Sequence, residues 1–175
     1  MLNDEAAAIP PGAAVPPRSK TITWHDPHAL AAAGRTLSGQ DFISQIAQRV
    51  LPAPPIAELF AFEIDSVSTG DVVFRCTPDE SAYNPIGVVH GGLACVLLDT
   101  VAGCAVHTTL PAGVGYTSLE LKVNYLRPIH GGIPLVAHGW VTKPGRRAAF
   151  AEGDIRDPDG KILATASSTC LVMGG

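Results

Sequence analysis

Charged side chains are scarce in this sequence. Of its 175 residues, 16 % are Asp, Glu, Lys or Arg, whereas 46 % are hydrophobic, and the formal net charge is −4. No basic patch stands out, which argues against nucleic acid as a general partner. The apolar residues suffice for the core of one domain. The thin supply of surface charge indicates that part of the surface is buried against another subunit.

The patterns of secreted, membrane-spanning and metal-binding proteins are also missing. The N-terminus carries Asp4 and Glu5 but no basic leader and no long apolar stretch typical of a signal peptide. The four cysteines show no Cys-x-x-Cys spacing, so we expect reduced core cysteines in a cytoplasmic protein. Residues 88–110 have the length of a membrane span, but Asp99, two histidines and several glycines disfavour that interpretation. No set of metal ligands and no Gly-rich phosphate loop is present, so no cofactor is expected.

What the sequence does have is one long apolar stretch with a single carboxylate in it. Between Glu80 and Glu120, Asp99 is the one formally charged side chain. An ionised carboxylate in apolar surroundings is costly unless it is paired or becomes protonated. Asp99 is therefore interpreted either as a structural cap for backbone amides of a neighbouring segment or as a group with a chemical role.

The chain divides into three predicted parts. Residues 1–38 form an Ala- and Pro-rich arm with a short helix, residues 39–54 an amphipathic lead-in helix that ends at Pro52, and residues 55–175 the main domain. In the main domain, strands are predicted over residues 56–68 and 71–78. The long apolar helix follows, and then four meandering strands over residues 115–127, 133–142, 147–156 and 162–173.

These elements predict an α+β fold. Short turns favour antiparallel pairing, and a helix that is apolar around its whole circumference must be covered on nearly every side. One curved antiparallel sheet of about six strands, wrapped around one long buried helix, satisfies both conditions. Residues 115–127 alternate regularly, which puts Thr117, Leu119, Leu121, Val123 and Tyr125 on one face and Ser118, Glu120, Lys122 and Asn124 on the other.

Two groups of residues resemble a known family. Asn84 is followed by His90-Gly91-Gly92 and Asp99-Thr100, and the later segment reads Leu-Lys-Val-Asn-Tyr-Leu-Arg-Pro from residue 121 to residue 128. This pattern is similar to the PaaI-type acyl-CoA thioesterase branch of the hotdog fold, over roughly residues 55–172. The resemblance implies a hotdog fold and the hydrolysis of a thioester to a free carboxylic acid and CoA.

The resemblance also implies roles for individual residues. Asp99 would be the nucleophile or the general base for water, and the Gly91 N–H would polarise the thioester carbonyl. Asn84 and a hydroxyl residue on the following strand would complete the site. The hydroxyl residue is Ser118 or its neighbour Thr117, because a one-residue register change exchanges them. Counting back from Tyr125 favours Ser118.

The chemistry explains why a helix start is useful here. Thioester hydrolysis builds negative charge on the carbonyl oxygen, and a helix N-terminus offers unpaired N–H groups at the positive end of its dipole. Gly91 and Gly92 let a substrate approach the backbone, although tight packing at a helix start would also explain them. His90 either orients the loop through its ring or simply packs, and a turn residue is the alternative interpretation of Asn84.

Further residues are predicted to contact the substrate. Gly92, Thr100 and Thr117 lie beside the implied catalytic positions. The phosphates of CoA need basic partners, and the candidates near the late strands are Arg127, Lys143, Arg146 and Arg147. For the last three, which belong to a turn, a solvated hairpin tip is the alternative.

The spacing of Gly91 and Asp99 predicts an oligomer. Eight residues of α-helix rise ~12 Å, which is too far for both groups to act on one carbonyl. One chain alone therefore cannot assemble the site, whereas two antiparallel helices about a two-fold axis can. We expect a homodimer with two composite sites, and a homotetramer, common in the family, would suit the low surface charge.

The sequence leaves two alternatives to a thioesterase. A non-catalytic hotdog protein would hold acyl-CoA as a sensor or accessory protein, but pure binding does not require a carboxylate in an apolar stretch. A hotdog hydratase would use an Asp or Glu with a His in a different loop context. The small and aliphatic residues of the stretch fit aromatic and medium-chain acyl groups alike.

Overall fold

A computed structural model describes residues 15–174, and Gly175 and residues 1–14 of the predicted arm lie outside the described residues. Within residues 15–174 the α-helices are α1 (Pro27–Gly34), α2 (Gly39–Ala47), α3 (Pro55–Phe60) and α4 (Gly91–His107), and a 3₁₀-helix covers Glu80–Ala82. The strands are β1 (Phe62–Ser68), β2 (Asp71–Cys76), β3 (Gly115–Tyr125), β4 (Leu135–Lys143), β5 (Ala148–Arg156) and β6 (Ile162–Met173). In the described part, no helix is both long and apolar enough to cross a membrane.

The strands of the described residues form one six-stranded antiparallel sheet in the order β1-β2-β4-β5-β6-β3. The long helix α4 packs on this sheet, so the predicted hotdog fold is confirmed. The predicted meander is wrong for β3, which pairs with β6 rather than with β4. Residues 126–134, which include Pro128 and Pro134, do not connect β3 and β4 as a hairpin, and β4 instead pairs with β2 in the middle of the sheet.

Close contact between α4 and the sheet forms the core. Leu97, Leu98 and Val101 are fully buried where the helix faces the strands. A Cβ at Gly139 of β4 would lie 2.4 Å from the backbone C and O of Val101. This glycine therefore lets the helix backbone rest directly on the sheet, which fixes the height and rotation of α4.

A bulge in β3 changes which side chains face the helix. The β3–β6 register shifts between Ser118 and Glu120, so Leu119 has no partner and is 61 % exposed. The predicted regular alternation is therefore wrong at this point. The extra residue brings Ser118 onto the same face as Tyr125, toward α4, whereas Thr117 lies on the opposite face beside Leu171.

One side of α4 is left uncovered by the described residues, in contrast to the predicted coverage on nearly every side. Asp99 is exposed, and Gly91, Gly92 and Cys95 on the same helix are only half-buried. This open side runs along β3, a terminal strand of the sheet that pairs with β6 alone among the described strands. The exposed helix side and the unpaired strand edge thus form one continuous surface.

The segment before the sheet differs from the prediction in two places. Residues 55–60 form α3 instead of the start of a strand, because proline at the first helical position favours a helix and Ala61, with φ 51°, closes it. Helix α2 ends at Ala47, earlier than Pro52, and Arg49 adopts a positive φ of 59° in the turn that follows.

Candidate active site

The start of α4 is fixed by the side chain of His90. His90 is the N-cap residue, and its Nδ1 accepts a hydrogen bond from the Gly92 N–H at 2.8 Å. A Cβ at Gly92 would lie 2.8 Å from this Nδ1, so glycine gives the ring the room it needs. The His90 ring therefore makes a specific hydrogen bond at the helix start and does not simply pack.

The Gly91 N–H is free at this helix start. Neither a backbone nor a side-chain acceptor within residues 15–174 binds it. Next to it lies an open groove of about 420 Å³, whose lining includes Val89, Gly91, Tyr125, Arg127, Ile129 and Ala164. An unpaired N–H at the positive end of a helix dipole, facing a groove, is suited to stabilise a developing negative charge.

Asn84 organises the loop that leads into α4. Its side-chain Oδ1 accepts hydrogen bonds from the N–H groups of Ile86, at 3.1 Å, and Val88, at 3.3 Å. Its own N–H donates to the Val88 carbonyl at 2.9 Å. The oxygen of Asn84 therefore acts within the turn, as in the alternative interpretation of this residue. A contact between its amide nitrogen and a substrate stays a prediction.

The Asp99 carboxylate projects from the open side of α4. The Ser118 hydroxyl donates a hydrogen bond to its Oδ1 at 2.7 Å. No backbone amide within residues 15–174 donates to the Asp99 carboxylate, and Oδ2 has no hydrogen-bond partner there. These contacts do not support the alternative of a structural cap. They leave one carboxylate oxygen fixed and the other available.

Thr100 and Thr117, which are predicted to contact the substrate, do not bind the Asp99 carboxylate. The Thr100 hydroxyl donates to the Val96 carbonyl at 2.7 Å, inside α4. Thr117 lies on the opposite face of β3 from Ser118, as a result of the strand alternation before the bulge. The described contacts thus join Ser118, and neither threonine, to Asp99.

The predicted phosphate-binding residues fall into two places. Arg127 lines the groove beside Gly91, and its guanidinium donates to the Ile162 carbonyl. Lys143, Arg146 and Arg147 belong to the β4–β5 hairpin, where the Arg147 carbonyl accepts from the N–H of Val172. Val172 pairs with Tyr116 at the start of β3, and the Tyr116 ring packs against Gly103 in the C-terminal half of α4. This hairpin therefore lies near that half of the helix, away from the groove of the same chain.

Three titratable side chains near the C-terminal half of α4 are shielded from solvent. Burial raises the pKa of the Cys104 thiol to about 12 and raises the pKa of the Tyr116 phenol well above its usual range. Burial also lowers the pKa of His107, whose ring lies between those of Phe42 and Tyr116. All three titratable groups are therefore uncharged at neutral pH.

Sequence reasoning missed two residues at the helix start, Tyr125 and Cys95. The Tyr125 hydroxyl lies 3.3 Å from the Gly91 carbonyl oxygen and 2.9 Å from the Cys95 sulfur. Cys95 follows Gly91 by four residues, so both lie on one helix face, which is a signal that could have drawn attention to it. Tyr125 is 30 residues from Cys95 in sequence, and no local pattern joins the two.

A metal site is not found in the described part of the chain. Within residues 15–174, no group of three or more His, Cys, Asp or Glu side chains is placed to hold a metal ion. The absence of a cofactor stays a prediction.

Comparisons with known proteins agree with this fold and this pattern. Residues 86–164 match the model of the family described as Thioesterase superfamily. Human acyl-coenzyme A thioesterase 13 is 30 % identical over 105 residues, which are 59 % of this chain and 74 % of that protein. The structure of smu.793 from Streptococcus mutans, bound to acetyl CoA, is 25 % identical with a TM-score of 0.61, covering 65 % of this chain and 89 % of that one.

The fold is also that of the PaaI protein from the phenylacetic acid degradation operon of Escherichia coli. Its structure superposes with a TM-score of 0.69 at 23 % identity, covering 80 % of this chain and 98 % of that one. At this identity the likeness shows the fold. Together with the family match and the human relative, it leads to one conclusion: the chain belongs to the thioesterase superfamily, as a thioester hydrolase with the hotdog fold of PaaI.

Proposed function

We propose that the protein is an acyl-CoA thioesterase, which hydrolyses an acyl-CoA to the free carboxylic acid and CoA. The observation that carries this proposal is the pairing of an exposed carboxylate, Asp99, with the Ser118 hydroxyl at 2.7 Å, on the helix whose first N–H is free. Human acyl-coenzyme A thioesterase 13 and the acetyl-CoA complex of smu.793 support the choice of a CoA thioester.

Two forms of the reaction use the same residues. As a general base, Asp99 takes a proton from water, and the water oxygen adds to the thioester carbon. As a nucleophile, the Asp99 oxygen adds to that carbon itself, and water later hydrolyses the resulting anhydride. In both, the carbonyl oxygen becomes an oxyanion that accepts a hydrogen bond from Gly91. The C–S bond then breaks, and the CoA sulfur leaves as a thiolate or, after protonation, as a thiol.

The site is proposed to need two copies of the chain. Gly91 and Asp99 both lie in the uninterrupted helix α4, so the rise between them is ~12 Å. A second copy, related by a two-fold axis that lies beside β3 and perpendicular to it, would cover the open side of α4 and pair the edge of β3. Antiparallel α4 helices would then bring Asp99 of one copy toward Gly91 of the other.

The same arrangement gives the hairpin cations a role. Lys143, Arg146 and Arg147 lie near the C-terminal half of α4, which the antiparallel partner's groove would approach. We therefore propose that CoA phosphates meet Arg127 of one copy and the hairpin of the other. The cytoplasmic location and a further association into a tetramer belong to the same proposal.

A thiol-release assay tests the proposed function. Purified protein is incubated with a panel of aromatic and medium-chain acyl-CoAs, and free CoA thiol is measured with a chromogenic disulfide. We expect turnover of at least one class in the panel. Saturable binding across the panel without thiol release would instead favour the non-catalytic alternative, and addition of water to an enoyl-CoA without thiol release would favour the hydratase.

Mixed dimers test the composite site. We expect Asp99→Ala and Gly91→Pro proteins to be inactive alone and to recover about a quarter of wild-type activity after equimolar unfolding and refolding together. The reason is that half of the dimers are mixed, and each mixed dimer has one site with both groups intact. If both groups acted within one chain, every site would keep one defect, and the mixture would stay inactive.

A further inference from the structure

Two successive glycines begin α4, and this makes the start of the helix intrinsically loose. Glycine gives up more conformational freedom on folding than any other residue. An N–H that polarises a carbonyl is effective only when its direction is set before the reaction. The first turn of α4 therefore needs contacts that hold Gly91 and Gly92 in place.

His90 supplies one of these contacts and Tyr125 supplies a second from β3. His90 Nδ1 accepts a hydrogen bond from the Gly92 N–H, and the Tyr125 hydroxyl donates one to the Gly91 carbonyl oxygen at 3.3 Å. A Cβ built on Gly91 would lie 3.0 Å from Cε1 of Tyr125, so the aromatic ring rests against the Gly91 backbone. With both contacts made, the Gly91 N–H has no acceptor among residues 15–174 and stays available at the groove.

Cys95 fixes the phenol in turn. Its sulfur lies 2.9 Å from the Tyr125 oxygen, and because the Tyr125 hydroxyl donates to the Gly91 carbonyl, the Cys95 thiol is the donor in this pair. A phenol is protonated at neutral pH, so Tyr125 keeps its donor hydrogen. A consistent chain of donors runs from the Cys95 thiol to the Tyr125 oxygen, and from the Tyr125 hydroxyl to the Gly91 carbonyl.

We propose that Tyr125 is a positioning residue for the carbonyl-polarising amide: its phenol, held by the Cys95 thiol, clamps Gly91 from β3 while His90 holds Gly92. This inference rests on the proposed function, in which Gly91 stabilises the oxyanion. It also gives the bulge at Leu119 a consequence, because Ser118 and Tyr125 face α4 together only when the bulge is present. One strand then orients both groups of the site, the carboxylate through Ser118 and the amide through Tyr125.

The Tyr125→Phe variant tests this role, because it keeps the ring and removes the hydroxyl. We expect kcat for acyl-CoA hydrolysis to fall about 3- to 10-fold, as for the loss of one neutral hydrogen bond, with KM within about twofold of wild type. Cys95→Ala should lower kcat in the same direction and to a smaller extent, and Cys95→Ser should restore it. Tyr83→Phe is the matched control, since its hydroxyl binds the Gly131 N–H in a loop, and its kcat should not change.

A spectroscopic measurement separates positioning from general loss of structure. Benzoyl-CoA labelled with ¹³C at the carbonyl is bound to Asp99→Asn protein, and its carbonyl stretch is recorded by difference infrared spectroscopy. Hydrogen bonding to the oxygen lowers this frequency, so adding Tyr125→Phe should raise it toward the value in water-free solvent. The inference would be overturned by a Tyr125→Phe variant whose kcat and carbonyl frequency are both unchanged. It would also be overturned by a variant with lower thermal stability and a higher KM but an unchanged kcat.

The outcome for Tyr125 can be told apart from the outcome for the proposed function. Wild-type thiol release tests the function alone. If wild type hydrolyses acyl-CoA and Tyr125→Phe equals it in kcat and in carbonyl frequency, the inference is wrong and the function stands. If wild type releases no thiol, the function is wrong, and the frequency shift of the bound thioester still decides whether Tyr125 orients the amide.

Discussion

Asp99→Asn is expected to lower kcat for acyl-CoA hydrolysis by about 10²- to 10⁴-fold, with little change in KM or in thermal stability. The amide has the shape of the carboxylate and can still accept the Ser118 hydrogen bond, but it neither removes a proton from water nor attacks a thioester carbon. Because the side chain is exposed and Ser118 Oγ is its hydrogen-bond partner in the described part of the chain, folding should not depend on its charge.

The measurement is initial-rate kinetics with the best acyl-CoA of the panel, together with a thermal unfolding curve. Ser118→Ala is the matched comparison, because it frees the carboxylate oxygen without removing the carboxylate. Its kcat should fall by about 10-fold or less, as for one charge-assisted hydrogen bond. Asp99→Asn protein that keeps wild-type kcat would show that the carboxylate is not the reacting group.

Gly91→Pro is expected to lower kcat by about 10²- to 10³-fold, as for the loss of one oxyanion donor. Proline at the first helical position removes an N–H that the helix itself does not use, and its fixed φ suits that position. His90, at φ −61° and ψ 134°, already has the extended conformation that a residue before proline requires. The substitution therefore removes the proposed donor with little demand on the backbone.

Gly91→Ala is the control that makes this result interpretable. Alanine adds the same Cβ, 3.0 Å from the Tyr125 ring, but keeps the N–H. Any loss that comes from crowding appears in both variants, so the ratio of their kcat values reports the amide. Equal kcat values for the two variants would mean that a different group stabilises the oxyanion.

The helices, the strands and the fold class could be predicted because the sequence patterns that indicate them are local. The apolar length of α4, the turn residues between strands and the helix-start glycines each depend on neighbouring residues, and each has a counterpart in the structure. Strand partners were not predictable in the same way. That β3 lies beside β6 is decided by contacts between segments far apart in the chain, and nothing within residues 126–134 specifies it.

The site shows the same division. Asp99 could be singled out because one carboxylate in an apolar stretch is conspicuous, and Ser118 followed from the resemblance. The face on which Ser118 lies could not be derived, because the bulge depends on one residue, Leu119, whose neighbours look like regular strand. Tyr125 and Cys95 were missed since their contact is purely tertiary. The open side of α4 could not be foreseen from a helix that is apolar all round.

If the site is composed of two copies, as proposed, that open side would also make catalysis depend on the amount of protein present. A free chain would expose Asp99 to solvent and would have no Gly91 of a second copy beside it, so a monomer would be inactive. Specific activity should then fall on dilution below the dissociation constant of the dimer, and substrate that bridges two copies would draw them together by mass action. The concentration of the chain, as well as that of its substrate, would set when the reaction runs.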